Sequence, residues 1–183
     1  MQAAVETPVG LGRIVIPRTY SPNLEELQAE FPDKRILELV DNSLTGCSVE
    51  IVLKGLPVCH DGGRDRLRFE TKIAAEKRAS RGRNGVAGYS QARWLAENQP
   101  SEFIGLLEGG VGVEFCGTVF KCRTVKKVVT RKGKVQKVPV IEYLIPFFPR
   151  ITPHSMFKML WIPVGGGDLD SRVRVAFARP LSG

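Results

Sequence analysis

Apolar and polar residues alternate in two stretches of the chain that flank a short turn signal. Residues 111–120 (VGVEFCGTVF) alternate apolar with small or polar residues, and residues 138–148 (VPVIEYLIPFF) are rich in Val, Ile, Tyr and Phe. Both patterns are typical of β-strands. The segment TRKG at 130–133 lies between them, and Gly133 can take the positive φ that a tight turn needs. The pattern therefore predicts a long β-hairpin over residues 111–148.

Two residues inside the predicted hairpin strands constrain how those strands lie in a sheet. Pro139 has no backbone N–H to donate, which places the returning strand at a sheet edge or at a bulge. Gly117 in the first strand indicates a bulge or a sharp bend. The residues near the turn offer too few apolar positions to bury a face. We therefore expect the outer half of the hairpin to stand clear of the core.

The first third of the chain predicts the element order β-α-α-β. Ser21 or Asn23 can cap a helix whose apolar residues repeat at helical spacing, and Asp33 can cap a second helix of the same kind. Strand-like apolar runs precede and follow the two helices. The predicted elements are a strand over 10–17, a helix over 24–31, a helix over 34–42 and a strand over 47–55.

The middle of the chain predicts a compact helical insertion between strands, over residues 74–110. Its beginning is ambiguous, because an alternating stretch typical of a strand runs directly into residues that favour helix. Two further helices have serine caps, and Gly109 ends the second of them. The predicted elements are a strand over 66–73, a short helix over 74–80, a basic loop over 81–85 and helices that follow Ser90 and Ser101.

The residues behind the hairpin complete the predicted fold. Residues 156–164 predict a buried strand, the glycines at 165–167 a turn, and residues 171–180 a last strand. We predict an α+β fold with an antiparallel curved sheet or a small open β-barrel, OB-like in pattern, with packed helices and one long basic β-hairpin. All 183 residues are expected to form a single domain.

The composition is that of a soluble globular protein, with 43% hydrophobic and 25% charged residues. The first residues lack the features of a signal peptide, and no stretch approaches the roughly 18 to 20 apolar residues that a membrane span needs. The four cysteines have no spacing typical of a disulfide framework, so reduced thiols are expected. We therefore expect a cytoplasmic protein with no membrane partner.

Positive charge is concentrated in the predicted hairpin. Lysine and arginine together number 27 against 19 acidic residues, and residues 121–137 hold eight of the cations and no acidic residue. This stretch therefore carries the whole net charge of +8, and such a concentration of positive charge attracts a polyanion. Edge lysines also protect sheets against aggregation, but that needs one or two charges rather than eight. The predicted nucleic-acid-binding cations are Lys121, Arg123, Lys126, Lys127, Arg131, Lys132, Lys134 and Lys137.

A second group of arginines surrounds the basic loop. Arginine suits bidentate contacts to phosphate, and an aromatic ring beside it can stack on an unpaired base. The interleaved acids Asp65, Glu70 and Glu76 leave the alternative that these arginines are neutralised in local ion pairs. The residues of this group that we predict to join the interface are Arg78, Arg81, Arg83 and Tyr89.

Two short stretches resemble parts of known proteins. Asp61 or Asp65 followed by Glu70-Thr71-Lys72 resembles the acid and Glu-x-Lys spacing of metal-dependent nucleases, in which carboxylates hold Mg²⁺. The glycines at 165–167, placed before the last strand, are similar to a glycine-rich segment in RNA-binding subunits of CRISPR effector complexes. The cysteines and the two histidines match no usual zinc spacing, so no metal or cofactor is predicted.

Taken together, these patterns favour a non-enzymatic protein that grips the phosphate backbone of single-stranded DNA or RNA through the basic hairpin. One alternative is a structural subunit of a viral or ribonucleoprotein assembly of the CRISPR-effector kind, in which other subunits are partners as well. A metal-dependent nuclease is the third candidate. No catalytic residue is predicted.

Overall fold

The computed structural model describes residues 13–55, 85–163 and 173–181. Within these ranges the chain has a mixed α/β fold with nine strands and three helices. In chain order they are β1 (Val15–Ile16), α1 (Leu24–Glu30), β2 (Arg35–Asp41), β3 (Val49–Gly55), β4 (Gly85–Val86), α2 (Tyr89–Asn98), α3 (Ser101–Glu108), β5 (Gly112–Glu114), β6 (Thr118–Val129), β7 (Val135–Phe148), β8 (Leu160–Pro163) and β9 (Val173–Pro180).

The nine strands form one sheet, whose main path runs β1-β3-β9-β5-β7-β6-β2. Two short strands lie off that path, since β4 pairs with β9 and β8 pairs with β7. Each strand pairing is antiparallel except that of β5 with β9. The strands at the two ends of the path do not pair with each other. The described sheet is therefore open and is not closed into a barrel.

The prediction of a second helix over residues 34–42 is wrong, because residues 35–41 form strand β2. The strand pairs with β6 from Arg35 to Asp41, and a bulge between Ile36 and Glu38 breaks the alternation that would have marked it as a strand. Asp33 lies in a turn instead of capping a helix. The Gln28 side chain holds that turn, because its Nε2 donates to the Lys34 carbonyl at 2.7 Å and its Oε1 accepts from the Ile36 N–H at 2.9 Å.

The other predicted helices of the described ranges are present, with small changes at their starts. Asn23 caps α1 as predicted, and its Oδ1 accepts from the Glu25 N–H at 2.9 Å. Helix α2 begins two residues earlier than expected, because its cap is Gly88 rather than Ser90. The Gln91 side chain accepts a hydrogen bond from the Gly88 N–H. Ser101 is the first residue of helix α3 and not its cap, which is Pro100, and Gly109 ends the helix as predicted.

Gly117 lies in the bend that the sequence predicted, between β5 and β6. An added Cβ there would lie 2.9 Å from the Ala87 carbonyl oxygen and 3.0 Å from the Ser43 Cβ atom. Real Cβ atoms rarely come this close to backbone, so the close approach of the two chain segments requires glycine. The bend separates β5 from β6, which then pairs with β7 and β2.

Apolar side chains cover both faces of the sheet where β6 and β7 begin their pairing. On one face Phe120 and Leu144 pack with Leu27 of α1 in one buried cluster. On the other face Ile145 packs with Val175 in another cluster. The largest cluster lies under α2 and α3 and includes the ring pair Phe103 and Phe148, whose centroids are 5.0 Å apart. The inner ends of β6 and β7 are therefore fixed from both sides.

Several predicted elements fall outside the described residues. These are the strand over 66–73, the short helix over 74–80, most of the basic loop and the glycine turn at 165–168. The predicted insertion over 74–110 is described only from residue 85 onward, where it contains α2 and α3. Among the described helices, none combines the length and the apolar character needed to cross a bilayer.

Candidate nucleic-acid interface

Strands β6 and β7 pair in one uninterrupted antiparallel register from Phe120↔Leu144 to Val129↔Val135. The turn between them places Gly133 at φ +73°, the left-handed region that glycine adopts without strain. Two backbone hydrogen bonds of 2.8 Å close it, from the Thr130 N–H to the Lys134 carbonyl and from the Gly133 N–H to the Thr130 carbonyl. The basic segment therefore forms a regular two-stranded ribbon with a defined turn.

The outer part of this ribbon extends beyond the other described strands. Strand β2 pairs with β6 only as far as Arg123, and β8 pairs with β7 only from Leu144 onward. Residues 124–140 thus form six cross-strand pairs and the turn, with no third described strand beside them. At about 3.3 Å per residue they reach roughly 20 Å from the sheet. We call residues 124–140 the outer ribbon. Pro139 lies in it, at a sheet edge as predicted.

Two of the eight predicted cations are engaged by acidic side chains near the base of the ribbon. The Lys126 Nζ lies 2.8 Å from a Glu142 carboxylate oxygen, and Glu142 also faces Lys34 at 3.8 Å. The Lys121 Nζ lies 3.5 Å from a Glu38 carboxylate oxygen. A lysine held by a carboxylate must give up that contact before it can neutralise a phosphate. Lys121 and Lys126 are therefore weaker candidates than the sequence indicated.

The other six predicted cations have exposed side chains, and within the described ranges no acidic group lies at ion-pair distance from any of them. Three stand on the strands and three at the turn, so positive charge extends along the full length of the outer ribbon. These residues are Arg123, Lys127, Arg131, Lys132, Lys134 and Lys137. An exposed cation with no carboxylate partner keeps its charge available for an anion in solution.

Sequence reasoning missed that the ribbon also exposes apolar side chains. Val125, Val129, Val135 and Ile141 are 57%, 67%, 64% and 45% exposed. It also missed Arg35, which lies directly opposite Arg123 across β2 and β6 and is exposed. The valines could have been found by pairing the two strands around Gly133. Arg35 could not, because its segment was assigned to a helix.

Tyr89, predicted to stack on a base, lies in the core. Its side chain is 2% exposed, and its ring stacks on Trp161 with centroids 5.4 Å apart. The hydroxyl donates to the Glu30 carboxylate at 2.8 Å, and burial together with Glu30 raises the pKa of the phenol well above its usual value. In this conformation neither ring nor hydroxyl is accessible to a nucleobase, so we leave Tyr89 out of the proposed interface.

The remaining predicted residues cannot be placed. Arg78, Arg81 and Arg83 lie outside the described residues, and so do Asp61, Asp65, Glu70 and Lys72 of the nuclease-like spacing. Within the described part of the chain, no group of three or more His, Cys, Asp or Glu side chains is arranged to hold a metal ion.

Glu114 on β5 is the described carboxyl whose ionisation the fold changes most clearly. Burial raises its pKa from 4.5 to about 7. It pairs across the sheet with Phe147 and Val175, away from the outer ribbon. The charge of this group therefore bears on stability and not on the ribbon.

Comparison of the chain with protein-family models, with curated proteins and with solved structures finds no match.

Proposed function

We propose that this protein binds nucleic acid without catalysing a reaction, and that the cations of the ribbon neutralise phosphates of single-stranded DNA or RNA. The observation that carries the proposal is the outer ribbon itself. It combines about 20 Å of reach with five exposed cations that have no acidic partner among the described residues, and a sixth, Arg123, lies at its base. Nucleic acid is the polyanion whose charge repeats at short intervals along a chain, so it matches a row of separated cations.

The expected strength follows from counterion release. Each phosphate contact on a single strand contributes about 0.7 to the slope of log affinity against log salt. Six contacts therefore predict a slope of about −4. A cationic ribbon that serves only to prevent edge pairing predicts no measurable affinity at physiological salt.

The test measures fluorescence anisotropy of labelled single-stranded oligo(dT) and oligo(U) with the wild type and with the turn variant R131Q/K132Q/K134Q. The variant should bind about 100-fold more weakly at 0.1 M salt, with a slope about two units flatter. Its charge-matched control is R13Q/R18Q/K158Q, which removes three exposed cations that lie outside the ribbon. Equal losses in the two variants, with both folded, would show that net charge rather than the ribbon governs binding.

A second candidate function, a structural subunit of a viral or ribonucleoprotein assembly, is favoured by a different observation. Five of the ten large apolar side chains that are exposed in the described ranges lie on the ribbon strands. Clustered exposed apolar residues mark contact surfaces. Light scattering of nucleic-acid-free protein separates the candidates, because an assembly subunit forms oligomers in the absence of nucleic acid whereas the nucleic-acid binder proposed first stays at the mass of one chain.

A further inference from the structure

The two faces of the ribbon differ in charge, in exposure and in partners. Directly opposite residues of paired strands point to the same face, and successive residues point to opposite faces. One face therefore carries the residues with even numbers and the other those with odd numbers. A count of charges along the sequence does not separate the two faces, because Lys126 and Lys127 are neighbours and only the fold shows that Glu142 engages the first of them.

The part of the even-numbered face nearest the sheet is used within the protein. Lys126 is held by Glu142, which also faces Lys34. Thr124, Val138 and Val140 on this face are half-buried. Further toward the sheet the same face becomes the buried cluster around Phe120 and Leu144. Nearer the turn, Val128 and Gln136 on this face are exposed, but its one strand cation, Lys126, already has an acidic partner.

The odd-numbered face is open along the whole outer ribbon. Its eight residues from the Arg123–Ile141 pair to the Val129–Val135 pair are all exposed. The cross-strand pairs occur in the order Arg123–Ile141, Val125–Pro139, Lys127–Lys137 and Val129–Val135. Arg35 continues the first of these layers across β2. Cationic and apolar layers thus alternate on one surface.

Two pairs of like charges face each other on this surface. Lys127 lies directly opposite Lys137, and Arg123 lies directly opposite Arg35. Like charges in such positions repel and destabilise a sheet, and within the described ranges no carboxylate lies at ion-pair distance from any of the four. A bound anion between the members of each pair would remove that repulsion. The spacing of about 13 Å between Arg123 and Lys127 separates two such anion positions.

We infer that this paired-cation face, which carries Arg35, Arg123, Lys127 and Lys137 together with Val125, Val129, Val135 and Ile141, binds a single strand of nucleic acid. Phosphates lie at the two cation pairs, and bases lie on the apolar layers beside them. The inference rests on the proposed function, and it assigns the face of the ribbon that binds the strand and the side chains that contact its bases. It adds Arg35 to the interface and leaves Lys126 out.

The apolar layers are the reason for choosing a single strand over a duplex. Unpaired bases can be splayed so that their apolar faces contact a protein, whereas a duplex keeps those faces inside its stack and offers edges. Aliphatic side chains give such contacts without hydrogen bonds, so little base preference is expected. Membrane-surface elements place their cations on the face opposite the apolar one. Here both share one face, which favours nucleic acid over a lipid surface.

The first part of the test compares neighbouring residues, Lys127 with Lys126 and Arg35 with Lys34. Each variant removes one positive charge. Lys127→Gln and Arg35→Gln should each weaken binding to oligo(dT) about 5-fold at 0.1 M salt, and flatten the salt slope by about 0.7. The matched controls Lys126→Gln and Lys34→Gln should change affinity less than about 2-fold, since Glu142 already engages both lysines. The double variant R35Q/K127Q should lose about 25-fold.

The second part tests the bases. The variant V125T/V129T/V135T keeps the shape and the β-propensity of the exposed side chains while it adds hydroxyl groups. It should bind oligo(dT) about 5- to 20-fold more weakly, with an unchanged salt slope, and should bind a duplex of the same length as the wild type does. Circular dichroism and melting curves check that each variant is folded.

The outcomes separate the failure of this inference from that of the proposed function. Equal losses in the Lys126 and Lys127 variants would overturn the assignment of the face, while the proposed function would stand. A duplex bound as tightly as the single strand would overturn the base contacts and the single-strand part of the proposed function, while nucleic-acid binding itself would stand. No binding of the wild type to any nucleic acid would overturn both. Binding to vesicles of phosphatidylserine and phosphatidylcholine that is lost in the Arg35 and Lys127 variants would then assign the face to a membrane.

Discussion

At the scale of single residues, the hydroxyl of Thr118 joins three elements at the start of β6. It accepts a hydrogen bond from the Tyr89 N–H of α2 at 2.9 Å and donates to the Asp41 carboxylate of β2 at 2.8 Å. The Thr118 side chain is fully buried. If its hydroxyl were removed, the Tyr89 N–H and the Asp41 carboxylate oxygen could not form replacement hydrogen bonds with bulk water. This residue fixes the start of β6, the strand that continues into the ribbon.

Thr118→Val keeps the shape of the side chain and removes both hydrogen bonds. We expect the free energy of unfolding, measured by urea denaturation, to fall by about 2 to 3 kcal/mol. Thr118→Ser keeps the hydroxyl and loses one buried methyl group, so it should cost about 1 kcal/mol. A valine variant more stable than the serine variant would contradict the role given to the hydroxyl.

Glu114 makes a second residue-scale prediction, on pH. Because burial raises its pKa from 4.5 to about 7, the folded protein disfavours the ionised form. Below about pH 4.5 the Glu114 carboxyl is neutral in both the folded and the unfolded protein, so it does not lower the free energy of unfolding. As pH rises toward 7 the unfolded state ionises first, so stability is lost over this window and stays low above it.

The variant Glu114→Gln removes this dependence. The stability of the wild type relative to the variant should therefore fall by about 2 to 3 kcal/mol between pH 4.5 and pH 8. Urea denaturation of both proteins across this range measures the difference, and other titrating groups cancel in it. A difference that is constant with pH would mean that Glu114 is not buried as described.

At the scale of elements, the sequence predicts those whose signals are local. Asn23 marks the start of α1, and Gly133 marks the turn between β6 and β7, because each satisfies a backbone requirement within a few residues. Gly117 and Pro139 likewise indicate a bend and an edge that the structure contains. Such signals do not depend on the rest of the fold.

Strand β2 shows what local signals miss. Ile36, Leu37 and Val40 fit one face of a helix as well as they fit a bulged strand. The choice is decided by pairing with β6, whose residues lie 77 to 88 positions further along the chain. The exposed position of Arg35 beside Arg123 follows from that pairing alone. The two faces of the ribbon also follow from pairing, so a charge count cannot separate Lys126 from Lys127.

At the scale of the whole molecule, the protein consists of a packed sheet with helices and a ribbon that extends from it. The packed part buries Tyr89 and five phenylalanine side chains, and it pairs many of its charges. The outer ribbon is held by a single strand pairing, and two-stranded hairpins are marginally stable without further packing. We therefore expect its amides to exchange faster than those of Phe120 and Leu144, which lie in the core.

Hydrogen exchange of the wild type, with and without saturating oligo(dT), tests the central claim that the outer ribbon is the nucleic-acid-binding element. Bound nucleic acid should slow amide exchange over residues 124–140 and at Arg35, and should leave exchange in α2 and α3 unchanged. Core-like protection of residues 124–140 in the nucleic-acid-free protein would contradict the account, and so would protection by oligo(dT) that falls on other parts of the chain and leaves the ribbon unaffected.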